Sequence, residues 1–169
     1  MHDGLEYATS YTSMALFAEA IARAEVGDLE GALAVASELD AIPTVFAKPD
    51  DARIVAYLRA GDREAAMPLL KVQALDAATG RLSRAANDSL LFLALLAEQD
   101  DPEVARRRLM PVEQTRTPAT IASAMAVARR LGIADTFGEA QDRGRADRVA
   151  SGRRAIDALR AELTDLGWA

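Results

Sequence analysis

Arginine supplies most of the chemistry this sequence could do. Eighteen arginines stand beside two lysines, and a guanidinium grips a carboxylate or phosphate through two parallel hydrogen bonds. Two clusters stand out. Arg106-Arg107-Arg108 falls late on an expected helix, where cations complement the negative end of the dipole. Three consecutive helical residues fan over about 200°, so the triplet cannot converge on one ligand and reads as a solvated helix end. From Arg143 to Arg160, six arginines face only Asp147 and Asp157. That excess could contact RNA or DNA, but no aromatic is interleaved for stacking on bases, so nucleic acid is not expected.

Carboxylates are plentiful, yet their positions assign them to another task. Asp28-x-Glu30, Asp50-Asp51, Asp62-x-Glu64 and Asp100-Asp101-x-Glu103 all stand at expected helix starts. There they accept from orphan N–H groups and complement the positive dipole end. No calcium-loop pattern, HExxH pair or phosphate-cradling glycine loop is present. His2, near the chain start, is the one histidine, and cysteine is absent. These absences exclude a Ser-His-Asp triad, cysteine nucleophiles, thiolate metal sites and disulfides. The expectation is a non-enzymatic protein with no metal and no cofactor.

The net charge of −6 argues against non-specific attraction to nucleic acid or anionic membrane. Residues 1–99 carry 15 acidic and 8 basic groups, whereas residues 100–169 carry 11 and 12. The C-terminal part could therefore face an acidic partner, but its excess is slight. The longest apolar run, Leu90–Ala97, is far too short to span a bilayer, and Met1–Tyr7 lacks the features of a secretory signal. A cytoplasmic protein without membrane attachment is expected.

The elements that must position these groups are helices. Alanine occurs 37 times, and β-branched and aromatic residues are scarce, so the fold class is expected to be all-α. At 169 residues the length suits one domain. Helices are expected from about Leu5 or Ser10 to Val26, from Asp28 to Asp40, and from Pro49 to Gly61, with Ile42–Lys48 as a connection. A fourth runs from Asp62 to about Ala78, with Pro68 forcing a kink or a late start. A fifth covers about Arg81–Gln99, and its apolar Leu90–Leu96 run marks it as the most buried. Asp101-Pro102 and Thr117-Pro118 pair a cap with a first-turn proline and open the sixth and seventh. Gly132 closes the seventh. A short eighth spans about Ala134–Gln141 and the last about Arg145–Leu166.

Gly27-Asp28 recurs at Gly61-Asp62, 34 residues later. Sliding residues 20–40 onto 54–74 also pairs Ala22 with Ala56, Glu30 with Glu64 and Ala32 with Ala66. Helix–turn–helix units at this period resemble the tetratricopeptide repeat family. Ala20, Gly27-Asp28 and Ala32 fit the family pattern in the first unit, and Tyr57, Gly61-Asp62 and Ala66 fit it in the second. The early tryptophan is missing, the second unit lacks the closing proline, and Pro43 falls one place early in the first. The resemblance covers about Leu16–Leu75; Arg81–Glu113 and Thr117–Gln141 keep the rhythm but not the spacing.

The resemblance implies a right-handed α-α superhelix of helical hairpins over residues 1–142, closed by a capping or docking helix over residues 143–169. It also implies a protein- or peptide-binding scaffold whose first helices line a concave face. Family members that grip a peptide carboxylate do so with lysine, arginine and asparagine on those helices. Arg53, Arg81, Arg84 and Asn87 occupy first helices here, although the family's clamp spacing is not reproduced. In the last helix Val149, Ile156, Leu159, Leu163 and Leu166 form an apolar stripe. It serves either as an intramolecular cap or as the seam of a homodimer or partner-docking surface. A ligand- or peptide-sensing regulatory domain and a self-associating structural protein are the alternative functions.

Overall fold

The computed structural model describes residues 3–42, 48–80, 83–114 and 117–168. His2, Pro43 and Arg81 lie outside them, as does most of the Ile42–Lys48 connection. The regular elements among the described residues are all α-helices: α1 (Asp3–Glu25), α2 (Leu29–Asp40), α3 (Pro49–Ala60), α4 (Arg63–Ala78), α5 (Ser83–Ala97), α6 (Pro102–Leu109), α7 (Pro118–Arg130), α8 (Ala134–Ala146) and α9 (Arg148–Asp165). The protein is all-α.

Four antiparallel hairpins precede α9, and local chemistry makes their turns. Gly27 and Gly61 take φ of 84° and 76°, a left-handed conformation that side chains with a Cβ resist. The next amide, of Asp28 or Asp62, donates to the carbonyl of Arg23 or Tyr57 at 2.9 Å in both turns. The Asp28 and Asp62 carboxylates then accept from the N–H groups of Gly31 and Ala65. Each turn thus satisfies the end of one helix and the start of the next. The third hairpin turns without glycine, and Asp101 caps α6 through the Val104 N–H. The fourth uses Gly132, at φ 72°.

Pro68 lies inside α4, which nevertheless begins at Arg63. Of the expected kink or late start, the late start does not occur: Pro68 is exposed, so the carbonyl left free one turn earlier can face water. The eighth helix is longer than the sequence implied and ends at Ala146. Asp147 alone separates it from α9, closing one helix and capping the other. The expected division at residues 142 and 143 therefore falls within α8.

Helices α1, α3 and α5 pack in sequence, with α2 against α3 and α4 against α5. Helix α5 also touches α6, α7 and α9, and Leu90, Leu91, Phe92, Leu93 and Ala94 are fully buried. Surrounded on every side, this helix can be apolar all round. Helix α7 breaks the simple advance. It packs against α1 as well as α5 and α6, whereas a steadily advancing stack would separate its first and fourth hairpins. The row of α1, α3 and α5 thus has the protein's own α7 against α1 and α5.

An ion-pair ladder accompanies this closure. Glu25, Arg59, Glu98 and Arg130 each stand three residues before the N-cap of the second helix in their hairpin, namely Asp28, Asp62, Asp101 and Ile133. The signs alternate along the stack. Arg59 donates to Glu25 and to Glu98, each at 2.9 Å, and Arg130 donates to Glu98. The Ser123 hydroxyl on α7 donates back to Glu25 at 2.6 Å. One position, three residues before the second helix's N-cap, therefore links all four hairpins.

Gln73 on α4 is the weak point of this interior. It is buried, and neither amide atom has a hydrogen-bond partner among the described residues. Stranding such groups costs about 1–3 kcal/mol. Gln73→Met, similar in length and without the amide, should raise the unfolding free energy by about 1 kcal/mol. An upward shift of the urea midpoint checks this; a lower midpoint would mean that the amide is stabilising.

Candidate functional site

Helix α9 lies across α4 and α5 and also meets α8. Leu159 and Leu163 are buried, and Ile156 and Leu166 pack partly buried against the core. Covering each of the two leucines is worth about 1.5–3 kcal/mol. Of the expected stripe only Val149 is left out, 73% exposed at the start of the helix.

Polar anchors fix the helix in place. Glu162 accepts from Arg107 at 2.9 Å and from Arg108 at 2.7 Å. Arg108 is itself buried and donates also to the Leu93 carbonyl. The Arg106–Arg108 triplet is therefore not simply a solvated helix end. Arg106 turns the other way, to Glu103 and the Leu131 carbonyl. Burial pushes the Glu162 carboxyl up, but hydrogen bonds and charge from the two arginines outweigh it and hold the group below the usual glutamate range. Arg154 of α9 donates to buried Glu113 at 2.6 Å.

The segment before α7 is tied down just as closely. Asn87 is buried, and its side-chain oxygen accepts from the N–H groups of Glu113 and Gln114. Gln114 donates to the Gly144 carbonyl at 2.6 Å, and Gln141 to that of Val112. A Cβ on Gly144 would lie 2.5 Å from the Glu113 carbonyl oxygen, so only glycine lets α8 approach this segment.

These contacts leave a trough between the start of α5, the 112–114 segment, α8 and the start of α9. It consists of two adjoining depressions of about 410 and 170 Å³ that share Arg84, Gln114 and Arg148. Arg153 and Ile156 extend one; Ile121 and Arg145 border the other. Val149 lines the larger depression, and Ile121 is 38% exposed. Arg145 pairs with Asp142. Among the described residues no carboxylate pairs with Arg84, Arg148 or Arg153, although most other arginines have one. Three uncommitted guanidiniums thus surround exposed apolar side chains. A carboxylate can be held by two parallel hydrogen bonds at any of them.

The residues expected to bind a peptide do not assemble into one clamp. Arg84 lines the trough. Asn87, one turn on, points its amide oxygen at the backbone instead. Arg53 belongs elsewhere, held by Asp40 of α2 and by Asp50 at 2.9 Å. Arg148 and Arg153 were visible in the sequence only as members of an arginine-rich stretch, and helical spacing alone did not bring them to Arg84.

Among the described residues no group of three or more acidic or histidine side chains could hold a metal ion. No helix there is long and apolar enough to cross a membrane. Compared with known proteins, the chain matches no family model, no curated protein and no solved structure.

Proposed function

We propose that this protein is a non-enzymatic binding module, a tetratricopeptide-like stack of helical hairpins that holds a segment of another protein. The matching turn geometry at Gly27-Asp28 and Gly61-Asp62 supports the repeat reading, because equivalent residues make equivalent hydrogen bonds one period apart. The binding seat is the trough beside α9 rather than the inner face of the first helices. Helix α7 packs against α1 and α5, and Arg53 and Asn87 are already committed to partners within the chain.

One observation carries the assignment: among the described residues Arg84, Arg148 and Arg153 have no acidic partner where Val149 and Ile121 are exposed. A rigid framework supports binding there, because seating a partner then costs little ordering entropy on this side of the interface. Self-association through the α9 stripe has less support, since Leu159 and Leu163 are covered within the monomer.

Affinity capture from native lysate, comparing the wild-type chain with Arg148→Glu/Arg153→Glu, tests the seat. The expected result is one or more proteins retained by the wild type and lost by the variant, with helix content unchanged by circular dichroism. Identical captured sets would overturn the assignment.

A further inference from the structure

We infer that the trough's occupant is an acidic, amphipathic segment of a partner protein, whose carboxylates pair with Arg84, Arg148 and Arg153 while its apolar side chains cover Val149 and Ile156. This inference rests on the binding-module reading above and gives the partner its chemistry. Charge complementarity is the first ground. The chain as a whole carries −6, yet Arg84, Arg148 and Arg153 in this recess have no ion-pair partner among the described residues, while Arg145 is met by Asp142 and the lining carboxylate of Glu113 is held by Arg154. A protein that is otherwise acidic repels a long polyanion over about a Debye length. It admits a short acidic segment confined to the recess.

The second ground is the mixture of surfaces. Val149 stands 73% exposed between Arg148 and the rest of α9, and Ile156 lines the same depression. An apolar side chain flanked by carboxylates would bury this surface and satisfy the guanidiniums together. A nucleic acid would satisfy the charges only: no aromatic lines either depression to stack on a base. Extended or helical, the segment needs acidic and apolar positions on one side.

Fluorescence anisotropy on the full chain tests this with a fluorescein-labelled peptide repeating Glu-Glu-Leu-Leu, which places both residue types on each side of an extended segment. A lysine-for-glutamate counterpart and oligothymidylate serve as comparison probes. The acidic peptide should bind saturably and more weakly as salt rises. Binding should fall at least about tenfold in Arg148→Glu/Arg153→Glu, in line with loss of paired charges at an interface. Val149→Ser, which removes apolar surface without adding charge, should weaken it as well, which a purely electrostatic encounter would not require. The neutral pair Arg148→Gln/Arg153→Gln guards against a folding defect and should lose binding with its circular dichroism unchanged. Equal binding of the lysine peptide, tighter binding of oligothymidylate, or no effect of either arginine pair would overturn the inference. If the acidic peptide fails while lysate capture still depends on the arginine pair, the occupant's chemistry is wrong and the seat stands. If both fail, the seat falls too.

Discussion

Arg59→Leu should lower the unfolding free energy by about 2–4 kcal/mol, somewhat under the range for breaking a fully buried pair because these groups keep some solvent contact. Arg59 sits between Glu25 and Glu98, and the three side chains are 16%, 23% and 11% exposed. Removing the cation leaves two mostly buried carboxylates facing each other across the gap. Ser123 still serves Glu25 and Arg130 still serves Glu98, which limits the damage. Urea denaturation followed by circular dichroism measures the loss, and a fall in Tm of about 2–4 °C per kcal/mol should accompany it. Arg59→Lys should be intermediate, since one ammonium cannot reproduce the two-sided grip of a guanidinium. Adding Glu25→Gln and Glu98→Gln to Arg59→Leu should recover much of the stability, because the stranded charges go with the cation. A change below about 0.5 kcal/mol, the range typical of ordinary surface substitutions, would mean that the ladder only decorates the stack.

Glu162→Leu should cost about 3–5 kcal/mol at neutral pH, the penalty for leaving a buried charge without its partner. Glu162 and Arg108 are each 8% exposed at the side chain. Without the carboxylate, Arg108 keeps only the Leu93 carbonyl as a hydrogen-bond partner among the described residues. The same pair predicts a pH dependence with a definite sign. The folded protein holds the Glu162 carboxyl below its ordinary range, so the folded state favours the ionised form. Its contribution is complete above the unfolded-state pKa and is lost as pH falls through the lower, folded-state value. Glu162→Gln mimics the protonated form. The stability gap between wild type and Glu162→Gln should therefore shrink as pH drops below the usual glutamate range. A gap that stayed constant on acidification would show that the carboxylate's charge is not what holds α9.

Much of the architecture was legible in the residues, for reasons that the contacts make plain. The bends at Gly27, Gly61 and Gly132 depend on a left-handed glycine and hydrogen bonds spanning five residues or fewer. The caps at Asp28, Asp62 and Asp101 depend on an amide three residues on. Neighbouring residues set such features, so glycine, aspartate and proline announce them. The buried run at Leu90 was legible too, because no other environment suits a helix that is apolar all round. The ladder left a fainter trace: Glu25 and Arg59 are 34 residues apart, the same spacing as the Gly27 and Gly61 turns, with opposite charge.

The destinations of the long side chains were not legible. Arg107 and Arg108 reach a glutamate 55 and 54 residues away, and Ser123 reaches Glu25 across 98. An arginine's helical position fixes the direction its stem leaves the backbone but not which carboxylate waits at the end. By itself the sequence determined an all-α chain of hairpins, their bends and caps, and an excess of arginine near the C-terminus. Only tertiary packing decided that α7 returns to α1, that Asn87 turns inward to the backbone, and that Arg84, Arg148 and Arg153 border one recess. The physical reason is range: turns and caps are settled by bonds between near neighbours, whereas pairing between distant charges exists only after the helices have packed.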